Sequence, residues 1–135
     1  MLRLLIYVWP LPVTLFGMLV ALLARASGGR LRRVDGVLES AGGWPARVLR
    51  FGFPFSGAVA AITLGHVVVG VSRDALSATR AHERAHVRQF ERWGVLLLVL
   101  YPLAGLLAWL RGGHPYRDNA FEREARAAER AARRS

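Results

Sequence analysis

Apolar and polar positions divide the chain into segments of different period. Leu2 to Ala24 is apolar almost without a break, with Arg3 its one charge. A run of that length matches the roughly 20 residues a helix needs to cross a bilayer. Tyr7 and Trp9 suit a membrane interface, and Pro10 and Pro12 are placed to kink or end the first turns. Arg25, Arg30, Arg32 and Arg33 follow directly, which by the positive-inside rule faces that end toward the cytoplasm. A cleaved signal peptide, with Ala24-Arg25-Ala26 as its processing site, is the competing expectation. The run is too long for it and the charge lies on the wrong side.

Ser27 to Phe55 is rich in Gly and Arg and carries Pro45 and Pro54. It reads as short strands and turns: a strand over Arg32–Glu39, a turn at Gly42-Gly43, and a further piece near Arg47–Phe51. Val59 to Val71 is β-branched and apolar, with Gly65-His66 either a hairpin turn or an irregularity in one long strand. Asp74 to Trp93 changes period. It has no Gly or Pro, Asp74 or Ser77 is placed to cap its start, and Gly94 marks its stop, so it reads as a helix. Its Arg residues 80, 84, 88 and 92 fall on the side opposite to its apolar positions, at roughly 160–280° on a wheel of 3.6 residues per turn. Gly94 to Leu110 is again without charge and has the composition of a second span, with Pro102 in its middle. A final helix begins at Asp118 or Asn119 as N-cap and runs to about Arg133.

The pentapeptide His82-Glu83-Arg84-Ala85-His86 sits on the apolar face of the Asp74–Trp93 helix. Positions i and i+4 lie about 40° apart around a helix and ~6 Å apart along it. Two imidazoles at that spacing can grip one Zn²⁺, and a Glu between them sits where it can deprotonate a water on the metal. A catalytic zinc needs three protein ligands and an open position. With no Cys in the chain, the later candidates are Glu91, His114, Asp118, Glu122, Glu124 and Glu129. Glu91 is near 180° on the same helix and cannot reach round. The acid-rich first turn of the final helix, with Glu122 and Glu124, is the better source. The bland alternative is an ordinary exposed helix start, with Glu122–Arg126 and Glu129–Arg133 as i,i+4 pairs.

His82-Glu83-Arg84-Ala85-His86-Val87-Arg88-Gln89 resembles the HExxHVxQ form of small zincin-like domains, and Phe121-Glu122-Arg123-Glu124-Ala125-Arg126 resembles the second motif of membrane-associated gluzincins such as the CAAX prenyl endopeptidases. The resemblance covers about residues 60–130 and rests on two short motifs. It implies Glu122 as third zinc ligand, with Glu124 the alternative, and a zinc endopeptidase with Glu83 as general base. An oxyanion partner is expected from His114, Tyr116 or Arg117. Arg126 departs from the motif, which has an Asp there; the usual support of a His ligand is thereby missing from its usual place. His66 is more ordinarily structural than part of the site.

Composition adjusts this picture. The chain has 135 residues, 53% of them apolar, and a net charge of +10 carried by 19 Arg and no Lys. Such a charge suits nucleic acid or anionic lipid headgroups. No nucleic-acid motif is present and the apolar segments favour lipid. The expected fold is α+β: residues 1–26 a transmembrane anchor, and residues 27–135 a minimal zincin-like domain of a short sheet, the HExxH helix and a second ligand helix. The expected location is a bacterial inner membrane with the domain facing the cytoplasm, acting on a peptide or protein substrate. A zinc-binding scaffold without activity, and a basic protein of the membrane surface or nucleic acid without metal, are the other functional readings. One geometric conflict remains. A straight helical Gly94–Leu110 spans about 25 Å and would deliver Glu122 to the far side of the bilayer from His82 and His86. A monotopic or re-entrant segment avoids this.

Overall fold

The computed structural model describes residues 2–52, 57 and 59–135. It is a mixed α+β fold, with a four-stranded sheet between helical layers. The N-terminal apolar run forms two helices, α1 (Leu2–Val8) and α2 (Leu11–Ala26), bent by 55° at the break between them. Pro10 sits at that break, where it leaves the α1 ladder and starts a new helix. The bend falls where Pro10 and Pro12 were expected to kink the run. Moreover, α2 is a layer of the fold. Val13, Gly17, Ala21 and Ala24 form its buried side, against the sheet and α3 (Gly43–Phe51), while its Leu-rich side stays exposed.

The segment after α2 is a hairpin of β1 (Arg30–Val34) and β2 (Val37–Ala41), rather than the single strand expected over Arg32–Glu39. Asp35 and Gly36 form its turn with φ 49° and 79°, the left-handed pair that Asp-Gly supplies to a two-residue loop. The piece expected near Arg47–Phe51 is the helix α3, which starts directly after β2 at the Gly42-Gly43 turn. Pro54 lies outside the described residues. β3 (Ala61–Leu64) and β4 (Val67–Gly70) pair antiparallel around Gly65-His66, so that dipeptide is a hairpin turn. β4 then pairs in parallel with β2, giving the order β1-β2-β4-β3. β4 is buried on both faces, as its Val-Val-Val-Gly sequence requires. β3 is left at the edge.

The opposite sheet face is covered by α4 (Arg73–Trp93). Its cap is Ser72, whose hydroxyl accepts from Ala75 N at 3.1 Å, rather than Asp74 or Ser77. Leu76, Val87 and the strand residues Val37, Ala61 and Val68 make the core between them. The Arg side of α4 is not wholly in solvent. Arg80 forms a two-pronged pair with buried Glu39 of β2 at 2.9 and 3.0 Å. Arg84 donates to Val34 O at 2.7 Å and is largely covered. These two side chains tie α4 to the β1–β2 hairpin.

Gly94, with φ 57°, ends α4, and Trp9 packs against it where a Cβ would stand. After one 3₁₀ turn the chain continues as α5 (Leu97–Leu110). Were α4 and α5 one straight rod, His86 and Tyr101 would stand about 22 Å apart along it. Their ring centroids are 6.3 Å apart. The chain therefore doubles back at Gly94. The loop after α5 returns along it, Asn119 Nδ2 donating to Tyr101 O at 3.0 Å. Asn119 also caps α6 (Ala120–Arg134) by accepting from Phe121 N. α6 then packs along α4.

Candidate metal centre

Helical spacing places His82 and His86 on one side of α4, and the doubling back at Gly94 brings the start of α6 onto them. Glu122 Oε2 lies 3.0 Å from His82 Nε2, and Glu122 Oε1 lies 3.2 Å from His86 Nε2. One donor atom from each residue falls within 4.8 Å of the others, so the group could hold a metal ion. Glu122 and His86 are buried, while His82 keeps a partly exposed edge. Burial by itself would raise the Glu122 carboxyl. The hydrogen bonds from His82 and His86 outweigh it and hold the group well below its ordinary range. Both imidazoles are raised. For His82 the Glu122 bond is the largest influence, and for His86 the Glu122 contacts overcome a strong opposing effect of burial. The three groups are thus drawn together by ionic hydrogen bonds where they could share a cation.

The outer nitrogens of the imidazoles are also taken. His86 Nδ1 is 2.8 Å from Gln89 Oε1, and Gln89 Nε2 donates to Phe121 O at 3.0 Å. A Nδ1 proton donated to Gln89 would leave the Nε2 of a neutral His86 free to ligate a metal. His82 Nδ1 is 3.4 Å from Glu129 Oε2. Glu129 lies on the same stripe of α6 as Glu122, two turns on. Arg126, where the resembled motif has an Asp, instead reaches the Arg117 carbonyl. The carboxylate support is therefore present, but one turn further along the helix.

Glu83 is buried next to the triad, and Thr63 Oγ1 of β3 donates to its Oε2 at 2.7 Å. Burial raises the Glu83 carboxyl above its ordinary range, against the pull of His86 and Thr63. Tyr101 Oη donates to Glu122 Oε1 at 2.6 Å. Tyr116 lines the same cavity, its phenol pushed up to about 12 by burial and by Glu122, so it stays a proton donor at neutral pH. The cavity has a volume of about 880 Å³ and lies between β3, α4 and α5.

Of the residues singled out from the sequence, His82, Glu83, His86, Glu122 and Tyr116 meet at this cavity. His114 does not line it. Its Nδ1 accepts from the backbone N–H groups of Tyr116 and Arg117, which makes it a local brace of the α5–α6 loop. Glu124 faces away from the triad, toward Gln89 Nε2 and Arg92. His66 stacks on Tyr7 and sits 3.3 Å from Glu91, remote from the triad. Sequence reasoning missed Tyr101 and Thr63, gave Gln89 no role beyond its place in the motif, and weighed Glu129 as a ligand or as the partner of Arg133, which it is. Tyr101 had one available signal: it is the single hydroxyl in the Gly94–Leu110 run. The chain matches no family model, no curated protein and no solved structure. The character of the site rests on its donor set and surroundings.

Proposed function

We propose that the protein is a membrane-associated zinc hydrolase that cleaves peptide bonds. One observation carries this reading: two imidazoles and a carboxylate converge within 4.8 Å, with a second, buried carboxyl, Glu83, beside them. The donor set fits the group. A His₂Glu set leaving an open position is a catalytic zinc arrangement, and the Gln89 and Glu129 contacts hold the imidazoles in the ligating orientation. When bound, Zn²⁺ supplies Lewis acidity toward a carbonyl and lowers the pKa of water to about 7.

The chain's own groups do the rest. Glu83, raised by burial and fixed by Thr63, takes a proton from the attacking water and passes it to the leaving amine. The water oxygen ends on the new carboxylate, and the C–N electron pair leaves with the amine, so protons and electrons balance. The Tyr101 and Tyr116 hydroxyls are placed to donate to negative charge developing on the carbonyl oxygen. β3 borders the cavity through Ala61–Leu64 and, among the described residues, pairs on one side only, which suits an extended peptide added to its other edge.

Membrane association is part of the same proposal. The helical run Arg73–Leu110 contains a stretch long and apolar enough to cross a membrane, and 22% of it is buried. α1, α2 and α5 expose large apolar side chains such as Leu15, Leu22, Val99 and Leu110. Because α5 folds back on α4 and α2 is a layer of the domain, a domain seated in the membrane from one side suits the structure better than two crossings. The test is metal content beside activity. About one zinc per chain, lost in His86→Ala and Glu122→Ala, with hydrolysis abolished in zinc-loaded Glu83→Gln, is the expected result. Full zinc with no hydrolysis of any peptide would leave a zinc-binding scaffold. No zinc in protein purified without chelator would end the reading.

A further inference from the structure

The cavity beside the triad differs from the rest of the molecule in its lack of exposed charge. Of 19 Arg in the chain, none lines it among the described residues. Its ionisable groups are those of the site itself, and its remaining wall is mostly aliphatic or aromatic: Ile62 and Leu64 of β3, Phe90 of α4, Leu98, Leu106 and Trp109 of α5. The outer wall is also molecular surface. Leu98, Leu106 and Trp109 are 53%, 48% and 61% exposed while lining the cavity. That surface runs into the exposed apolar side of α5, with Val99, Leu103 and Leu107. The outer wall of the cavity is thus continuous with the exposed apolar side of α5. Ile62 and Leu64 also belong to the apolar layer around Ala21 on the buried side of α2.

The β3 edge selects among apolar occupants. Among the described residues β3 hydrogen-bonds to β4 alone, in the order β1-β2-β4-β3, and Ala61, Ile62, Thr63 and Leu64 all border the cavity. Edge N–H and C=O groups in an apolar setting need partners that neither lipid chains nor water-poor surroundings supply. An extended polypeptide supplies them. Charged side chains entering the cavity would give up water and, away from the His82–His86–Glu122 cluster and Glu83, find no counter-charge on its walls.

We propose that the substrate is an apolar, uncharged polypeptide segment embedded in the bilayer, which enters the cavity sideways from the lipid between β3 and α5 and pairs with the free edge of β3. This rests on the hydrolase reading for the fate of the segment, but its binding is separable from cleavage.

The experiment uses the full chain carrying Glu83→Gln, so that a bound segment is held. It is reconstituted in vesicles of phosphatidylcholine and phosphatidylglycerol with a poly-leucine peptide of about 20 residues, long enough to span, bearing a diazirine at its centre. After irradiation the labelled residues are mapped by mass spectrometry, and zinc is measured on the same sample. Labels on Ile62, Leu98 or Leu106 are expected. Labelling should fall at least tenfold in Leu106→Arg, but persist in Leu107→Arg, whose substitution lies on α5 outside the cavity lining. Labels confined to outward residues such as Leu22 and Leu103 would overturn the proposal. So would equal cavity labelling by a water-soluble peptide with the same central residue and charged flanks. A diazirine on a phospholipid acyl chain that labels the cavity, where the peptide does not, would assign the cavity to lipid and also overturn it. Cavity labelling without zinc would sink the hydrolase reading and leave the binding proposal standing. Zinc without cavity labelling would do the reverse.

Discussion

Removing Glu129 tests whether the second helix does more than deliver a ligand. Glu129→Ala takes away the oxygen 3.4 Å from His82 Nδ1 and leaves the three ligand residues untouched. Loss of such a partner weakens metal binding by about 10–100-fold. The structure places Glu129 at the lower end. Its contact is longer than the 2.8 Å bond from His86 to Gln89, its side chain is 26% exposed, and it also accepts from Arg133 at 2.9 Å. About tenfold weaker zinc binding is therefore expected, or about 1.4 kcal/mol. Glu129→Gln keeps an oxygen acceptor and should recover most of the affinity. The assay is competition against a chromophoric zinc chelator, beside the melting temperature of the metal-free protein. The visible spectrum of the Co²⁺ form reports the ligand geometry directly. A change in zinc affinity and cobalt spectrum with little change in metal-free melting is the signature of a positioning residue. Zinc affinity within twofold of the parent in Glu129→Ala, with Gln89→Ala clearly weakened, would refute the assignment. His82 would then be oriented by Glu122 and packing alone.

Further outcomes follow from the same geometry. Glu83→Gln should keep about one zinc per chain while lowering peptide hydrolysis by about 10²–10⁴-fold, the usual span for a general base; retained activity would move the base elsewhere. Tyr101→Phe removes the hydroxyl on Glu122 but no ligand, so kcat should fall about tenfold or more with zinc retained, and an unchanged kcat would remove Tyr101 from the reaction. Metal-free stability should depend on pH in a defined way. Glu122 is lowered from its ordinary 4.5, so its contribution is present above that value and is lost as pH falls through its folded value. His82 and His86 are raised from 6.5, so theirs is present below that value and is lost as pH rises through theirs. The cluster therefore helps most between 4.5 and 6.5, and Glu83, itself raised, adds to the loss on the alkaline side. Zinc displaces the imidazole protons, so the stabilisation it adds should grow with pH across the same window. Denaturant melts with and without zinc check this, and a zinc effect independent of pH would count against His ligation. Vesicle sedimentation should survive molar salt if the apolar faces of α2 and α5 carry it, whereas release by salt would assign the association to the arginines.

Much of the candidate metal site was legible because it depends on local periodicity. The His82–His86 spacing is fixed by helix geometry once α4 exists, and the absence of Gly and Pro from Asp74 to Trp93 makes α4 the evident outcome. The Gly65-His66 hairpin and the Asn119 cap were equally local. Other local signals were misjudged: Asp35-Gly36 carries a hairpin turn that splits the expected strand, and Gly43–Phe51 is a helix despite its Gly-rich start. Charge sign along α4 suggested an outward Arg face, yet Arg80 and Arg84 are held by Glu39 and Val34 O. That depends on where β1 and β2 lie, which a wheel of one helix does not contain.

Only the tertiary structure decides the rest. Apolar content made Leu2–Ala24 and Gly94–Leu110 look alike as candidate spans, the second of them within the domain. Their roles differ because of single residues whose effect is long-range. Pro10 splits the first run so that α2 lies on the sheet, and Gly94 reverses the second so that Tyr101 stands over His86. Glu122 and Glu124 sit two positions apart on one helix, about 200° around its axis. The packing of α6 on α4 turns one toward the imidazoles and the other toward Gln89 and Arg92. Sequence determined which residues can ligate, through bond geometry repeated along a helix. Tertiary packing decided which of them meet, because that is set by the direction the chain takes after each break.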